Sequence, residues 1–333
     1  QMSSKASAAN QVLRVGVVGA GVMGTNHARV LAGLPGVELV GIVDPLPAHR
    51  TRASQMIGCP TFATLDEMLD ANPDAVTIAA PTHLHREVSL ACIARKIHLL
   101  VEKPIASTVE EGHEIVTAAR EAGVTLMVGH VERFNPAVAA IKQAIKDEEI
   151  LSIAITRVGP FPPRMSNVGV VIDLAVHDID LIRWFTESDI VDVQPQLASA
   201  VAEREDIALL QFRTASGVLA HINTNWLTPF KARTVTVATR GKYVQGDLLT
   251  RQVTECFGFQ TDGSYSMRHL SVGHDEPLRA ELIAFLDAVR GGKVPAVTGD
   301  EGVASLEIAI KCLEAPAGSI AAPLRKGPRA VAS

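Results

Sequence analysis

The chain has four cysteines in 333 residues, Cys59, Cys92, Cys256 and Cys312, and no Cys-x-x-Cys pair among them. That spacing excludes a cysteine zinc knuckle and gives no disulfide framework, so reduced thiols in a cytoplasm are expected. An excess of positive charge is also absent: 31 Lys and Arg against 36 Asp and Glu give a net charge of -5, with the basic residues scattered. Without a basic stripe no nucleic-acid partner is expected. No segment approaches the roughly 18 uninterrupted apolar residues of a membrane span, and residues 1–10 have no apolar core of signal-peptide length. No membrane partner is expected, and no internal repeat is visible.

What is present is apolar substance: 47% of the residues are hydrophobic, and the length accommodates two domains. From Leu13 to Val131 short β-branched runs alternate with amphipathic stretches. The runs are "LRVGVV", "VELVGIV", "AVTIAAP", "HLLVEKP" and "TLMVGHV". Helices are expected at Gly21 to Ala32, Ala48 to Ile57, Arg86 to Arg95 and Val109 to Glu121. Continuous apolar strands separated by helices indicate a parallel sheet covered on both faces. Beyond Arg133 the texture changes. A helix over Pro136 to Lys146 leads into "LSIAITRV", an apolar helix over Val170 to Phe185, and then the alternating runs "ALLQFRT", "VLAHINTNWL", "RTVTVAT" and "KYVQGDLLTRQVTECF". Turns at Ala215 to Gly217 and Arg240 to Gly241 make an antiparallel sheet the economical reading. Two helices, Pro277 to Arg290 and Glu301 to Leu313, close the pattern. The expected fold is α/β: a doubly wound parallel domain over 11–131, an α+β domain over 132–316, and a disordered tail over 317–333.

The first strand runs into Gly19-x-Gly21-x-x-Gly24, with Val22 and Met23 opening the helix that follows. In that context the glycines permit the tight turn, the approach of bare N–H groups to a pyrophosphate, and close packing of helix on strand. Asp44, twenty positions past Gly24, ends the next strand, where a carboxylate accepts from adenosine ribose hydroxyls and repels a ribose phosphate. The cofactor indicated is NAD. Arg50 and Arg52 lie on the following helix, where one could reach a phosphate or simply face solvent.

Open α/β sheets bind ligands at the carboxyl ends of their strands. Two strand ends there carry polar residues: Glu102, Lys103 and Pro104 after one, and Pro81, Thr82, His83 and His85 after another. A lysine at a strand end can be a solvated charge or a catalytic group. The histidines have no cysteine or carboxylate cluster beside them, so they are expected to line the cofactor or serve the fold, and no metal is expected. In "GVVIDLAVHDIDLIRWF", Asp173, His177 and Asp180 share one helix face at spacings of four and three. Such a stripe either satisfies itself inside the protein or faces a cleft. Alcohol oxidation needs a base for the hydroxyl proton while carbon gives hydride to a nicotinamide. His177 can accept that proton at neutral pH with Lys103 orienting the hydroxyl, or a strongly perturbed Lys103 can accept it with His177 assisting. The first assignment is preferred.

"GAGVMGTNHA", "PTHLHREV", "VEKPIA" and "DLAVHDIDLIRW", in this order, resemble the glucose-fructose oxidoreductase/inositol dehydrogenase/MocA (Gfo/Idh/MocA) family over roughly Leu13 to Leu313. The resemblance implies an N-terminal Rossmann domain, a C-terminal open-faced, mainly antiparallel sheet used for homo-oligomer contacts (dimer or tetramer), and nicotinamide-dependent oxidation or reduction of sugars and polyols. Lys103, Asp173 and His177 match its catalytic positions. "GHVERFNPAV" and "VIDLAVHDIDLIRW" are most similar to its sugar-nucleotide members, which implies a UDP-linked amino sugar, UDP-N-acetylglucosamine oxidised at the 3-hydroxyl, and an aminotransferase consuming the ketone for lipid A or surface glycans. For such an anion the candidate partners are Arg133 and Asn135 after the last parallel strand, Arg164 in "GPFPPRMSNVG", and Lys231 and Arg233 in "NWLTPFKARTV", whose Trp226 could cover a sugar or uracil face. Lys231 and Arg233 could equally be outward residues of an alternating strand. The alternatives are the corresponding uronate, a free polyol such as inositol, or a dinucleotide sensor with no catalysis.

Overall fold

The computed structural model describes residues 12–162 and 168–319. The chain first lays down β1 (Leu13–Val18), α1 (Val22–Ala32), β2 (Val37–Val43), α2 (Pro47–Ile57), β3 (Thr61–Phe62), α3 (Leu65–Asp70), β4 (Ala75–Ile78), α4 (His85–Ala94), β5 (His98–Glu102), α5 (Val109–Ala122) and β6 (Leu126–Gly129). Next come α6 (Pro136–Ala144), β7 (Ile150–Pro160), a π-helical turn over Val171–Ala175 that runs into α7 (Val176–Thr186), and β8 (Ile190–Ser199). The strands β9 (Ile207–Thr214), β10 (Leu219–Asn225), β11 (Leu227–Thr239), β12 (Lys242–Asp247), β13 (Gln252–Phe257) and β14 (Ser266–His269) precede α8 (Pro277–Gly291), α9 (Gly299–Leu313) and β15 (Gly318–Ser319).

Residues 12–131 together with Glu276–Leu306 form one compact unit. Its six-stranded sheet has the order β3-β2-β1-β4-β5-β6, every pair parallel. All of β4 and β6 and most of β1 are buried, which is why their sequences are unbroken apolar runs. Helix starts are written locally. Thr64 and Glu67 form a reciprocal capping box at α3, and Thr108 accepts the Glu111 N–H at the start of α5. The strand order reverses between β1 and β4, so the carboxyl ends of those strands face the crevice where doubly wound sheets bind ligands.

Glu132–Asp275 and residues 307–319 form the second unit. Its sheet has nine strands, β14-β13-β12-β11-β7-β10-β9-β8-β15, antiparallel except for β7 with β10 and β8 with β15. The inward face packs against the apolar sides of α6 and α7 around Ile153, Ile155, Ile179, Leu210 and Val237. Along β9 burial alternates strictly, with Leu209, Gln211 and Arg213 outward. On the outer face Leu209 and Leu219 are about half exposed.

The structure alters the expected organisation in several places. The parallel unit takes back residues 276–306: α8 packs on α1, an ion pair joins Arg29 to Glu276, and Arg290 donates to the Gly36 carbonyl at 2.8 Å. "VLAHINTNWL" is cut at Trp226 into the end of β10 and the start of β11, and "KYVQGDLLTRQVTECF" is a hairpin of β12 and β13 rather than one strand. The expected helix over Val170 to Phe185 opens with the π turn. Gly318 and Ser319 pair with β8, while 320–333, the rest of the expected tail, lie outside the described residues. Among the described residues no helix is long and apolar enough to cross a membrane.

Candidate active site

In the first unit the glycine turn has the geometry of a dinucleotide cradle. Gly19 adopts φ +99°, and a Cβ there would lie 2.6 Å from the Ala79 carbonyl oxygen. A Cβ on Gly24 would lie 1.7 Å from the Gly19 oxygen, so only glycine lets α1 approach β1 this closely. Outside Gly21 the space is open, and no side chain caps α1. The first N–H groups of that helix, those of Val22 and Met23 among them, are thus available to a diphosphate. Asp44 ends β2 beside this turn. Its carboxylate accepts from the N–H of Ala20 and of Leu46, each at 2.9 Å, and lies 3.2 Å from His49 Nδ1. Burial pushes its pKa up, but these donors outweigh burial and hold it below the ordinary carboxyl value. Arg50 spends donors on the carbonyls of Asp44 and Pro45, and Arg52 on that of Ala20.

The other strand ends of the first unit meet at β4 and β5. Pro81 is exposed and Thr82 half-buried in a single 3₁₀ turn after β4. His85 is buried, with Nδ1 2.9 Å from the Pro104 carbonyl and Nε2 2.9 Å from that of Ala80. It ties the two turns together. Burial pushes its pKa down, and the carbonyls oppose this without cancelling it. Glu102 is buried at the end of β5, and its Oε1 lies 2.8 Å from His27 Nε2 while Oε2 accepts the Lys103 backbone N–H at 3.3 Å. Lys103 follows, half-buried, with a cis peptide to Pro104.

In the second unit Asp173 lies in the π turn and His177 one residue into α7, both half-buried. Behind them is a buried ionic network. Arg157, inward on β7, grips both oxygens of Asp178 at 2.8 to 3.0 Å and donates to Glu132 Oε1 at 3.2 Å. Burial pushes the Asp178 carboxyl up against the pull of Arg157. Arg233 shares Glu132 at 3.2 Å, the only hydrogen bond of its side chain among the described residues, and keeps a third of its side chain exposed. Burial, and then Arg157, lower its pKa; Glu132, Asp178 and Asp173 oppose them. Arg233 is therefore the outermost cation of the network and within electrostatic reach of Asp173.

The model of an oxidoreductase family with an NAD-binding Rossmann fold matches residues 13–130, and that of the GFO/IDH/MocA C-terminal domain matches 141–244. Inositol 2-dehydrogenase 4 of Saccharopolyspora erythraea is 30% identical over 312 residues, covering 89% of this chain and 91% of that protein. The chain belongs to the Gfo/Idh/MocA family. UDP-N-acetylglucosamine 3-dehydrogenase of Acidithiobacillus ferrooxidans is 28% identical over 83% of the chain and 88% of its own length. The solved structure of a protein of that name and organism superposes with a TM-score of 0.84 at 26% identity, covering 90% of this chain and 96% of that one. As a Gfo/Idh/MocA oxidoreductase the chain is an NAD-dependent dehydrogenase, and its cofactor is NAD.

Within this Gfo/Idh/MocA chain several expected ligand contacts are instead framework. Arg133 is buried, and its guanidinium is forked onto Asp180 at 2.7 Å on two nitrogens and lies 5.7 Å from the Trp184 ring. Asp180 accordingly leaves the stripe expected with Asp173 and His177. Asn135 caps α6, accepting from Ala137 N–H and donating to the Leu248 carbonyl. Trp226 is buried edge-on against Phe161. His85 and Glu102, expected against the cofactor, direct their polar atoms at protein groups. Lys231 is exposed, and Arg164 lies outside the described residues. The network of Glu132, Arg157 and Asp178 was not anticipated. Its signal was available, since the alternation of "LSIAITRV" puts Arg157 in register with the inward Ile153 and Ile155.

Proposed function

We propose that this NAD-dependent dehydrogenase oxidises the 3-hydroxyl of UDP-N-acetylglucosamine to the 3-keto sugar nucleotide, in the cytoplasm, and feeds an aminotransferase in 2,3-diamino-sugar synthesis for lipid A or a surface glycan. The observation that carries this reading is Arg233: a half-buried guanidinium with one hydrogen bond among the described residues has donors to spare for a diphosphate, and Asp173 lies within its field. Similarity over most of both chains to a UDP-N-acetylglucosamine 3-dehydrogenase supports it.

The reaction converts a secondary alcohol and oxidised cofactor into ketone, reduced cofactor and one proton. NAD, held by the Gly19 to Gly24 turn and Asp44, supplies the hydride acceptor. His177 takes the hydroxyl proton. Its Nδ1 is buried, and Nε2 is the nitrogen given this role in the proposal. Lys103 orients and polarises the hydroxyl, and Asp173, four residues before His177, holds the substrate side of the helix. Arg233 and the exposed Lys231 attract the diphosphate. A second copy of the chain is the proposed partner for the outer sheet face, where Leu209 and Leu219 are half exposed and a depression of about 340 Å³ is lined by Leu219, Asp192, Gln211, Arg213 and His221.

A polyol reading is favoured by one specific finding, the 30% identity to an inositol 2-dehydrogenase. NADH formation with UDP-N-acetylglucosamine, its uronate, UDP-glucose and inositol, run with an aminotransferase or another ketone trap, separates the two. Turnover of UDP-N-acetylglucosamine alone supports the proposal, and turnover of inositol alone replaces it. His177→Ala and Lys103→Ala should each lower kcat while leaving NAD affinity near the parent value. Collapse of NAD binding in both would make these residues structural.

A further inference from the structure

Helix α8 carries an acid where its pattern calls for a hydrophobe. Leu278, Leu282, Phe285 and Leu286 form its buried stripe, and Glu281 lies among them, fully buried. Neither of its carboxylate oxygens has a hydrogen-bond partner among the described residues. What it faces is also acidic. His27 from α1, Glu102 from β5 and Glu281 from α8 bring one nitrogen and two carboxylate oxygens within 4.8 Å of one another, all inside the first unit. Glu102 Oε1 lies 2.8 Å from His27 Nε2, and its Oε2 accepts the Lys103 backbone N–H at 3.3 Å. His27 Nδ1 has no partner among the described residues.

We propose that Glu281 is a neutral carboxylic acid in the working enzyme, and that it is a positioning residue keeping a single negative charge, on Glu102, behind Lys103. An ionised Glu281 would be a buried anion with no donor among the described residues, beside a second carboxylate, the arrangement buried carboxylates avoid by keeping a proton. Burial, and then the neighbouring Glu102, push its pKa well above the ordinary carboxyl range. The consequence for catalysis rests on the proposed role of Lys103. A second negative charge near the β5 end would compete with the substrate hydroxyl for the Lys103 ammonium, whereas a neutral acid leaves that charge directed at the hydroxyl. The same three side chains could instead hold a divalent cation, which would need both carboxylates ionised.

The sign of the pH effect follows from linkage. A group whose native pKa lies above its unfolded value stabilises fully below the unfolded value and loses that stabilisation as pH rises toward the native one. The full chain and its Glu281→Gln variant should be compared by urea unfolding between pH 5 and 9, with metal content measured after dialysis against Zn²⁺ and then against Mn²⁺. Gln has the shape of the neutral acid and cannot ionise. The parent's unfolding constant should therefore rise about tenfold per pH unit relative to the variant's through the window between the two pKa values. In addition, kcat of parent and variant should coincide at the acid end and diverge at the alkaline end, a difference that loss of packing alone would not produce. A variant that fails to fold, a stability difference independent of pH, or stoichiometric metal in the parent that the variant loses would each overturn the proposal. The unfolding and metal measurements use no substrate, so they stand or fall separately from the proposed dehydrogenase reaction.

Discussion

Replacing Asp44 by Asn removes a charge and almost no volume, and the structure sets what that should cost. The carboxylate accepts from the N–H groups of Ala20 and Leu46 while only 7% exposed. An amide has one acceptor oxygen, so at best one of these donors keeps a partner. Losing a hydrogen bond to a charged group costs about 1.5 to 3 kcal/mol, which should appear as a lower urea midpoint. NAD should lose a comparable amount in addition, because its ribose hydroxyls donate to the same group, and that corresponds to roughly a 10- to 150-fold rise in Kd. NADP should lose far less, since removing the charge also removes repulsion of its ribose phosphate. Calorimetric titration of the folded variant with each cofactor decides the matter. Equal losses for the two cofactors, or lower stability with unchanged NAD affinity, would refute the ribose role and leave Asp44 a clamp on the turn. The native pKa is depressed, so the stabilisation is present above the ordinary carboxyl value and is lost as pH falls through the native one. Asp44→Asn should lack that acid limb.

Asp178→Ala strips the buried Arg157 of its main partner and should destabilise the second unit by about 3 to 5 kcal/mol in denaturant unfolding. Replacing both members by hydrophobes of similar volume should recover most of that loss. Arg233→Ala should raise KM for UDP-N-acetylglucosamine about 10- to 100-fold, the cost of one charge-assisted contact, with little change in stability. An unchanged KM would remove Arg233 from the substrate site. Leu209→Lys combined with Leu219→Lys should shift the chain to monomer by light scattering if a second copy covers the outer sheet face, and an unchanged mass would count against that partner.

How much of this was legible in the sequence depends on whether a residue's role is local. The glycine turn and Asp44 could be read because a tight turn, a helix start and a strand end lie within one short stretch, each with its own residue requirement. The parallel strands could be read because burial on both faces leaves them continuously apolar. Strand β8 escaped notice because "IVDVQPQLAS" is half-exposed, with Pro195 in its middle. The return of α8 to the first unit had no local signal at all, since an amphipathic stripe states that a helix is buried on one side and not which sheet it covers. The same limit explains Arg133, Asn135 and Trp226. Residue type gave their capacity to bind an anion or a sugar face, but direction decides use, and each points into the protein. Glu281 is the instructive counterexample. An acid on the apolar stripe of "PLRAELIAFLDAVRG" is visible in the sequence as a breach of pattern, and breaches of pattern are where function or an internal partner is to be sought. Only the fold reveals that its neighbours are His27 and Glu102, more than 250 and about 180 residues away along the chain, and that the question it poses is about a proton.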